Sequence, residues 1–281
     1  MKLFRRVTAI GQGGIWSYLF EGGVRTLNFG ENMPTEVVFV DGDQFSFTNI
    51  QRQSMTLDDE ARMKAVVYAE RVAAMGMTNL KVKPIMEFVT QKNIQRVIVP
   101  NSVVLSCVDN QKSRKLMAEY VRENAKKLNN FALISAANDE TKCNAHAHLV
   151  FGGKEVTLGM DECHPEIKNP TDKNPGELSC EERARLPGGG QTIAANHKAA
   201  GFALEYLGML LSGGNRTLAD VNMDIVTKSE VFYDFRHMMA DTSSRAVPGS
   251  LDYIGRTIAA IRADLKKPDP VRNPVSKPIS L

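Results

Sequence analysis

Val7-Thr8-Ala9-Ile10-Gly11-Gln12-Gly13-Gly14 is the stretch of sequence that decides the fold. Its first four residues are apolar or β-branched, its last four are rich in glycine, and the apolar run 15–20 follows. This order is typical of a buried strand that enters a tight turn and continues as a helix. Backbone N–H groups of such a turn can approach a phosphate, and the helix adds its positive N-terminus. The stretch therefore predicts a nucleotide-binding unit whose candidate contact residues are Gly11, Gly13 and Gly14.

The spacing of these glycines differs from the G-x-G-x-x-G fingerprint of dinucleotide-binding domains. Trp16 stands where the last glycine of that fingerprint would fall, and a glycine turn on its own is a weak signal. An oxidoreductase that uses NAD or FAD is therefore an alternative function, but it is not the favoured one.

Strands and helices alternate along the first half of the chain. The second apolar run, 37–40, ends in the acidic turn Asp41-Gly42-Asp43, and the capping hydroxyl of Thr56 predicts a long helix from there to residue 75. Further strands are expected at 82–85, 103–106 and 131–136, and a helix is expected to follow Asn110 and to run to about residue 128. This alternation predicts a doubly wound, mainly parallel sheet.

The second half of the chain does not continue this alternation of strands and helices. It predicts a hairpin around Gly152-Gly153, a long proline- and glycine-rich loop over 160–190, a helix over 194–211, strands at 223–227 and 231–235, and a disordered tail over 267–281. The fold class is therefore α/β, a Rossmann-like doubly wound mixed sheet with a crossover loop and a C-terminal helix and strand extension. A single domain is expected over 1–266.

Composition does not call for nucleic acid or a membrane as a partner. The net charge is +3 and the 35 Lys and Arg residues are scattered, so neither nucleic acid nor a membrane is expected as a partner. The N-terminus lacks a signal-peptide core and no apolar run approaches the length of a membrane span, so we expect a cytoplasmic protein. The four widely spaced cysteines are expected to be free thiols.

A second group of polar residues follows the second strand. A carboxylate at the end of that strand, Asp41, suits the hydroxyls of a ribose, and Asp43 lies two residues beyond it. The polar set Asn49, Arg52 and Gln53 has no place in a dehydrogenase fingerprint but suits a triphosphate. Lys64 adds a second cation.

A third group follows the strand at 103–106. Asp109 lies where the carboxyl ends of strands form the ligand crevice of an open α/β sheet, and Asn110 and Arg114 follow it. Two cations that neutralise phosphates and one carboxylate that holds magnesium are the minimal requirement for ATP. The three groups together therefore point to ATP and Mg²⁺.

In this order and spacing, the three groups resemble the superfamily of ThiF, MoeB and the ubiquitin-activating enzymes. The pattern of that superfamily is G-x-G-G, then D-x-D followed by N-x-x-R-Q, a lysine, and D-N with a later arginine. The residues that match are Gly11, Gly13, Gly14, Asp41, Asp43, Asn49, Arg52, Gln53, Lys64, Asp109, Asn110 and Arg114. The resemblance covers 5–136 and, more loosely, 137–235, and bacterial ThiF-like proteins such as those of PRTRC systems are the most similar group.

The resemblance implies a reaction and its residues. It assigns Asp41 to the ribose of ATP and Asp109 to magnesium, and it places Asn49, Arg52, Gln53 and Lys64 around the phosphates. In this superfamily the C-terminal glycine carboxylate of a ubiquitin-like or sulfur-carrier protein attacks the α-phosphate, which gives an acyl adenylate and pyrophosphate. The resemblance also implies a homodimer.

The cysteines leave two questions open. Cys180 lies in the loop where relatives carry a cysteine that captures the acyl group as a thioester, Cys163 is the rival nucleophile, and both could be structural. No structural zinc is expected, because the chain has no C-x-x-C pair. Cys143, His146 and His148 are a weaker metal candidate, and the histidines are more simply interpreted as polar residues on a half-exposed strand.

Two further alternatives share the motifs. A relative that modifies tRNA would adenylate a small carboxylate and bind RNA in a salt-sensitive way. A catalytically inactive subunit would keep the fold and support an active partner.

Overall fold

The computed structural model of the 281-residue chain describes residues 4–29, 33–139, 141–173, 192–211 and 217–265. The strands are β1 (Arg6–Ile10), β2 (Glu36–Val40), β3 (Val82–Ile85), β4 (Ser102–Ser106), β5 (Phe131–Asn138), β6 (Lys142–Phe151), β7 (Lys154–Glu155), β8 (Glu230–Asp234) and β9 (Met239–Ser243). The helices are α1 (Gly14–Phe29), α2 (Lys64–Ala74), α3 (Ile94–Val97), α4 (Gln111–Glu123), α5 (Ala125–Leu128), α6 (Met160–Cys163), α7 (Pro165–Lys168), α8 (Ile193–Leu211), α9 (Leu218–Thr227) and α10 (Ser250–Leu265). Two short 3₁₀ turns, Phe47–Asn49 and Leu57–Asp59, lie between β2 and α2.

The nine described strands form one mixed sheet. Its order is β3-β2-β1-β4-β5-β6-β8-β9, and β7 pairs with β6. The first five strands in this order are parallel, whereas β6, β7, β8 and β9 are antiparallel to their neighbours. The chain order reverses at β1, which lies between β2 and β4, and the crevice at such a switch point is where ligands of open α/β sheets bind.

Side-chain alternation gives the sheet two apolar faces. In β2, Val37 and Phe39 belong to one core cluster, and Val38 and Val40 belong to the other. The first face is covered by α1, α2 and α8 to α10, and the second by α3 to α5. Trp16 of α1 is 1% exposed and packs edge-on against Phe39, with 5.2 Å between ring centroids. Burial of one such side chain stabilises the fold by roughly 2–3 kcal/mol.

The predicted fold class is confirmed, and so are the strands of the parallel core, the hairpin and the long helix at 193–211. The predicted strand at 223–227 is wrong, because these residues belong to α9. The hydroxyl of Thr217 accepts a hydrogen bond from Asp220 N and caps this helix, and Val221, Ile225 and Val226 are buried at helical spacing. The β-branched residues of this segment therefore suggested a strand. The N-terminal cap and the helical spacing of the buried residues produce a helix instead.

Two helix boundaries also differ from expectation. Thr56 begins only a short 3₁₀ turn, in which Thr56 N donates to Asp59 Oδ2 at 2.7 Å, and α2 begins later, at Lys64. The helix expected to run to about residue 128 is interrupted at Asn124, which separates α4 from α5. The predicted tail and most of the loop over 160–190 lie outside the described residues.

Among the described helices, none combines the length and the apolar character that a membrane crossing requires.

Gly11 supplies the test of the strand–turn–helix unit. Its φ is +83°, and a Cβ there would lie 3.0 Å from backbone atoms of Cys107 and Val108. We expect Gly11→Ala to lower the free energy of unfolding by about 1–3 kcal/mol, because it adds left-handed strain to a backbone clash. Gly13→Ala is the matched control, since nothing lies within 4 Å of the position that a Cβ on Gly13 would take. Equal losses in urea unfolding of the two variants would contradict this explanation.

Candidate functional site

The Asp41 carboxylate joins the turns that follow β1 and β2. Its Oδ2 accepts a hydrogen bond from Gln12 N at 2.6 Å, and its Oδ1 accepts one from Asp43 N at 2.8 Å. Gly11 N donates to Val40 O at 3.0 Å, so the two turns are also paired through backbone. Asp41 Oδ2 therefore holds the glycine turn against the end of β2, and Oδ1 fixes the turn that Asp41 itself begins.

Burial raises the pKa of Asp41 to about 6. The nearby Lys64 ammonium and the two backbone N–H donors lower this pKa, but desolvation outweighs them. A carboxylate with so high a pKa carries its charge at neutral pH at a cost. The site therefore places a charged group where water does not solvate it fully.

Lys64 is the buried cation of the site. It is the first residue of α2, its side chain is 8% exposed, and its Nζ lies 3.6 Å from Asp43 Oδ2. The ring of Phe45 lies beneath the ammonium, 5.9 Å from Nζ to centroid. This ion pair is longer than a direct N⁺–H···O⁻ hydrogen bond of about 2.7–2.9 Å. A buried ammonium held so loosely can accept a further anionic partner.

The turn between β2 and α2 brings the other phosphate candidates together. Asn49 Oδ1 accepts from Ser46 N at 3.1 Å, and Asn49 O accepts from Arg52 N at 3.0 Å and from Gln53 N at 2.8 Å. Gln53 is buried, and its Oε1 has no hydrogen-bond partner among the described residues. Arg52 is half-buried on the same turn. Asn49 therefore orders this turn through its side-chain oxygen and its backbone carbonyl.

The residues after β4 divide into one exposed acid and two structural side chains. Asp109 is exposed. Asn110 caps α4, because its Oδ1 accepts from Ser113 N at 2.8 Å. Arg114 is buried and donates to the carbonyls of Val108 and Ala136, so it ties the β4 loop to the end of β5. Burial lowers the pKa of Arg114, which the neighbouring Asp109 opposes.

The structure adds a pair of asparagines that the motifs did not single out. A Cβ on Gly14 would lie 2.6 Å from Asn196 Nδ2, so the first turn of α8 covers the glycine turn. Asn138 Nδ2, at the end of β5, donates to Asn196 Oδ1 at 3.2 Å. Asn196 Nδ2 and Asn138 Oδ1 are buried without a partner in the described part of the chain. Asn138 follows the carboxyl end of the predicted strand at 131–136, and this position could have identified it as a candidate site residue from the sequence.

Asp172 is a further residue near the candidate site that the sequence motifs did not indicate. Its Oδ2 accepts from Gln111 N at 2.5 Å and its Oδ1 accepts from Lys112 N at 3.1 Å, so a carboxylate from the predicted crossover loop lies at the N-terminus of α4. A negative charge at a helix N-terminus is stabilising. The described start of this loop is therefore attached beside Asp109. Cys180 lies outside the described residues.

The histidines of β6 are not on a half-exposed strand, as the sequence suggested, because His146 and His148 are both fully buried. Cys143 lies on the opposite face, in the core cluster that includes α8, so it does not join them. His146 instead lies with His164 and Glu230, and one ligand atom from each of the three residues lies within 4.8 Å of the others. The three described cysteines, Cys107, Cys143 and Cys163, are free thiols.

Comparison with known proteins identifies relatives of this arrangement. The family model described as the ThiF family matches residues 5–175. No curated protein sequence matches the chain. The solved structure of PaaA is similar, with a TM-score of 0.53 and 15% identity over 86% of this chain and 64% of PaaA.

Two structures of E. coli MccB are similar as well. MccB with ATP has a TM-score of 0.57, and MccB with MccA has a TM-score of 0.59. Each is 15% identical and covers 87% of this chain and 65% of MccB. At this identity the likeness shows a shared fold, and the chain spans slightly less than two-thirds of the length of these proteins.

Asp41 makes stability depend on pH. Its pKa is higher in the folded chain, at about 6, than the ordinary value of 3.8, so the folded chain binds this proton more tightly. The stabilisation is fully present below the unfolded pKa and is lost as the pH rises through about 6. From about pH 4 to about pH 8, we expect wild type to lose about 2.5 kcal/mol of unfolding free energy relative to Asp41→Asn.

The measurement is urea unfolding of both proteins across this pH range. Asp58→Asn is the matched control, because it makes the same substitution at an exposed aspartate outside the two turns that Asp41 joins. An Asp41→Asn difference that stays constant with pH would contradict the assignment.

Proposed function

The chain belongs to the ThiF family, and from this premise we propose that it uses ATP to adenylate the C-terminal carboxylate of a ubiquitin-like or sulfur-carrier protein. The observation that carries the proposal is the buried, loosely paired ammonium of Lys64 beside the acidic turn after β2. The MccB structures with ATP and with MccA, which share the fold, support a nucleotide and a polypeptide substrate.

The chain's residues suit ATP. The glycine turn offers backbone N–H groups and a close approach, and Gln53 Oε1 is a buried polar atom with no partner among the described residues. We propose that Asp41 lies next to the ribose, that Lys64 and Arg52 neutralise phosphate charge, and that Asn49 and Gln53 order the turn that carries Arg52. Asn110 and Arg114 contribute indirectly in this proposal, because their hydrogen bonds hold the loop that carries Asp109.

We assign magnesium to Asp109. Mg²⁺ is commonly held by one or two protein carboxylates together with phosphate oxygens, and an exposed acid at the edge of the crevice fits this arrangement. When bound, the ion supplies charge neutralisation on the phosphates. The residues of the chain orient that ion and the nucleotide.

The proposed reaction needs positioning and charge stabilisation, not proton transfer. A carboxylate oxygen of the carrier attacks the α-phosphorus of ATP, a new P–O bond forms, and the bond to the bridging oxygen of pyrophosphate breaks. Pyrophosphate leaves with the electron pair of that bond. The carboxylate is already ionised, so no general base is required, and the unpartnered Asn196 Nδ2 beside Gly14 is a candidate donor to the reacting groups.

Asp109→Ala tests the magnesium assignment. We expect ATP–pyrophosphate exchange to fall at least about a hundredfold, because charge neutralisation in the transition state is lost. Asp58→Ala, which removes an exposed aspartate from the β2–α2 connection, should keep wild-type exchange. Both variants should keep the circular dichroism spectrum of wild type. Retained exchange in Asp109→Ala would remove Asp109 from the site.

We also propose that Cys180 accepts the acyl group. Its thiolate would attack the acyl carbon of the adenylate, form a thioester and release AMP. Cys107 and Cys143 are poor candidates, because burial raises the pKa of each to about 12. Cys180→Ser should keep pyrophosphate exchange and lose a thiol-sensitive adduct with the carrier on non-reducing gels, whereas Cys163→Ser should keep both. An adduct that survives in Cys180→Ser would reject the assignment.

A further inference from the structure

A second polar cluster lies on the antiparallel part of the sheet, and a small cavity lined by Arg114 and His146 adjoins it. His146 of β6 and Glu230 of β8 are direct cross-strand neighbours, and His164 follows the end of α6. One ring nitrogen of each histidine and one carboxylate oxygen of Glu230 all lie within 4.8 Å of one another. Two histidines and a carboxylate thus converge from two strands and a helix end.

The hydrogen bond of His146 determines its tautomer. Its Nε2 lies 2.8 Å from Leu158 O, and a carbonyl can only accept, so Nε2 carries the hydrogen and Nδ1 presents a lone pair. Nδ1 is buried and has no partner among the described residues, and the residue is 0% exposed. A ring nitrogen that donates to a backbone carbonyl while the other nitrogen faces a ligand is the usual arrangement of a metal-binding histidine.

The other two groups are hydrogen-bonded to each other, and a bound ion would replace that hydrogen bond; outer partners hold each of them. His164 Nε2 lies 2.6 Å from Glu230 Oε1, and His164 Nδ1 lies 3.6 Å from Glu166 Oε1. Arg245 Nε donates to Glu230 Oε2 at 2.7 Å, which leaves Oε1 directed at the histidine. The side chain of His164 is 21% exposed, so a small ion can reach the cluster from solvent.

We propose that His146, His164 and Glu230 bind one divalent transition-metal ion of the Zn²⁺ type. Two imidazole nitrogens and one carboxylate oxygen are a common zinc ligand set, and a fourth position remains for water. Ligand atoms about 2.0–2.1 Å from a tetrahedral ion stand roughly 3.3 Å apart. Small side-chain rotations bring atoms that already lie within 4.8 Å to this spacing. This site is distinct from the C-x-x-C type of zinc site, which the sequence lacks.

A bound ion would join the sheet to the root of the predicted crossover loop. His146 and Glu230 belong to the sheet, whereas His164 lies between α6 and α7 and precedes Asp172, which binds the N-terminus of α4. The ion would therefore stabilise the segment that leads to the proposed acyl-accepting loop. This inference rests on the cluster itself and does not depend on adenylation.

A buried water is the alternative partner for His146 Nδ1. A cavity of about 10 Å³ adjoins His146 and His148, and it has room for about one water. A water would satisfy the nitrogen without selecting any metal. Metal binding by the purified chain therefore separates the two explanations.

The experiment uses the full chain, purified without a histidine tag and stripped with a chelator. We expect it to take up one Zn²⁺ per chain after dialysis, measured by elemental analysis, and to give visible absorption of tetrahedral Co²⁺ when cobalt replaces zinc. Added Zn²⁺ should raise the melting temperature. His164→Ala, at a partly exposed position, should weaken binding by at least about tenfold to a hundredfold.

His237→Ala is the matched control, because His237 is an exposed histidine outside the cluster, and it should bind as wild type does. Glu230→Gln is the second test variant and should weaken binding without changing the size of the side chain. Wild type that takes up no stoichiometric Zn²⁺ or Co²⁺, or equal affinity in His164→Ala and His237→Ala, would overturn the proposal. ATP–pyrophosphate exchange by the stripped protein would test the adenylation proposal separately.

Discussion

The crevice depends on one buried carboxylate, Asp41, which accepts a backbone N–H from each of two turns. The hydrogen bond from Gln12 N adds a side-chain contact to the backbone pairing of Gly11 with Val40, and the hydrogen bond from Asp43 N fixes the turn after β2. Burial makes the charged form of Asp41 costly, and the nearby Lys64 ammonium offsets part of that cost. The same two charges that hold the turns therefore lie where a nucleotide is proposed to bind.

Charge is balanced loosely around this carboxylate. Lys64 is buried but stands 3.6 Å from Asp43, and Gln53 and Asn196 each keep a buried polar atom without a partner among the described residues. Buried polar atoms are nearly always hydrogen-bonded in folded proteins, so these atoms are consistent with the polar ligand proposed here. A triphosphate and an adjoining carboxylate substrate would accept hydrogen bonds from Lys64 and Asn196, whereas Gln53 Oε1 needs a donor, such as a ribose hydroxyl or the adenine amino group of ATP. These incompletely paired groups cost the folded chain some stability, and the proposed ligand would compensate for that cost when it binds.

Local sequence predicted the elements that build the crevice, because a strand, a glycine turn and an acidic strand end are defined by neighbouring residues. It failed at 223–227, where the Thr217 cap and helical burial overrule a β-branched run. It also missed Asn138, Asp172 and the cluster of His164 with Glu230, which meet their partners only through long-range packing. Partners separated by 60 or more residues, such as Gln111 and Asp172, carry no local signal.

The most direct test is ATP–pyrophosphate exchange by the wild-type chain with Mg²⁺ and a panel of ubiquitin-like and sulfur-carrier proteins that end in Gly-Gly. Each carrier is compared with the same carrier lacking its C-terminal glycine. The account predicts exchange with at least one intact carrier and none with its truncated form. Tight ATP binding without exchange for any carrier would contradict adenylation of such a carboxylate and favour an inactive subunit or an RNA-modifying role, and absence of ATP binding would reject the nucleotide site altogether.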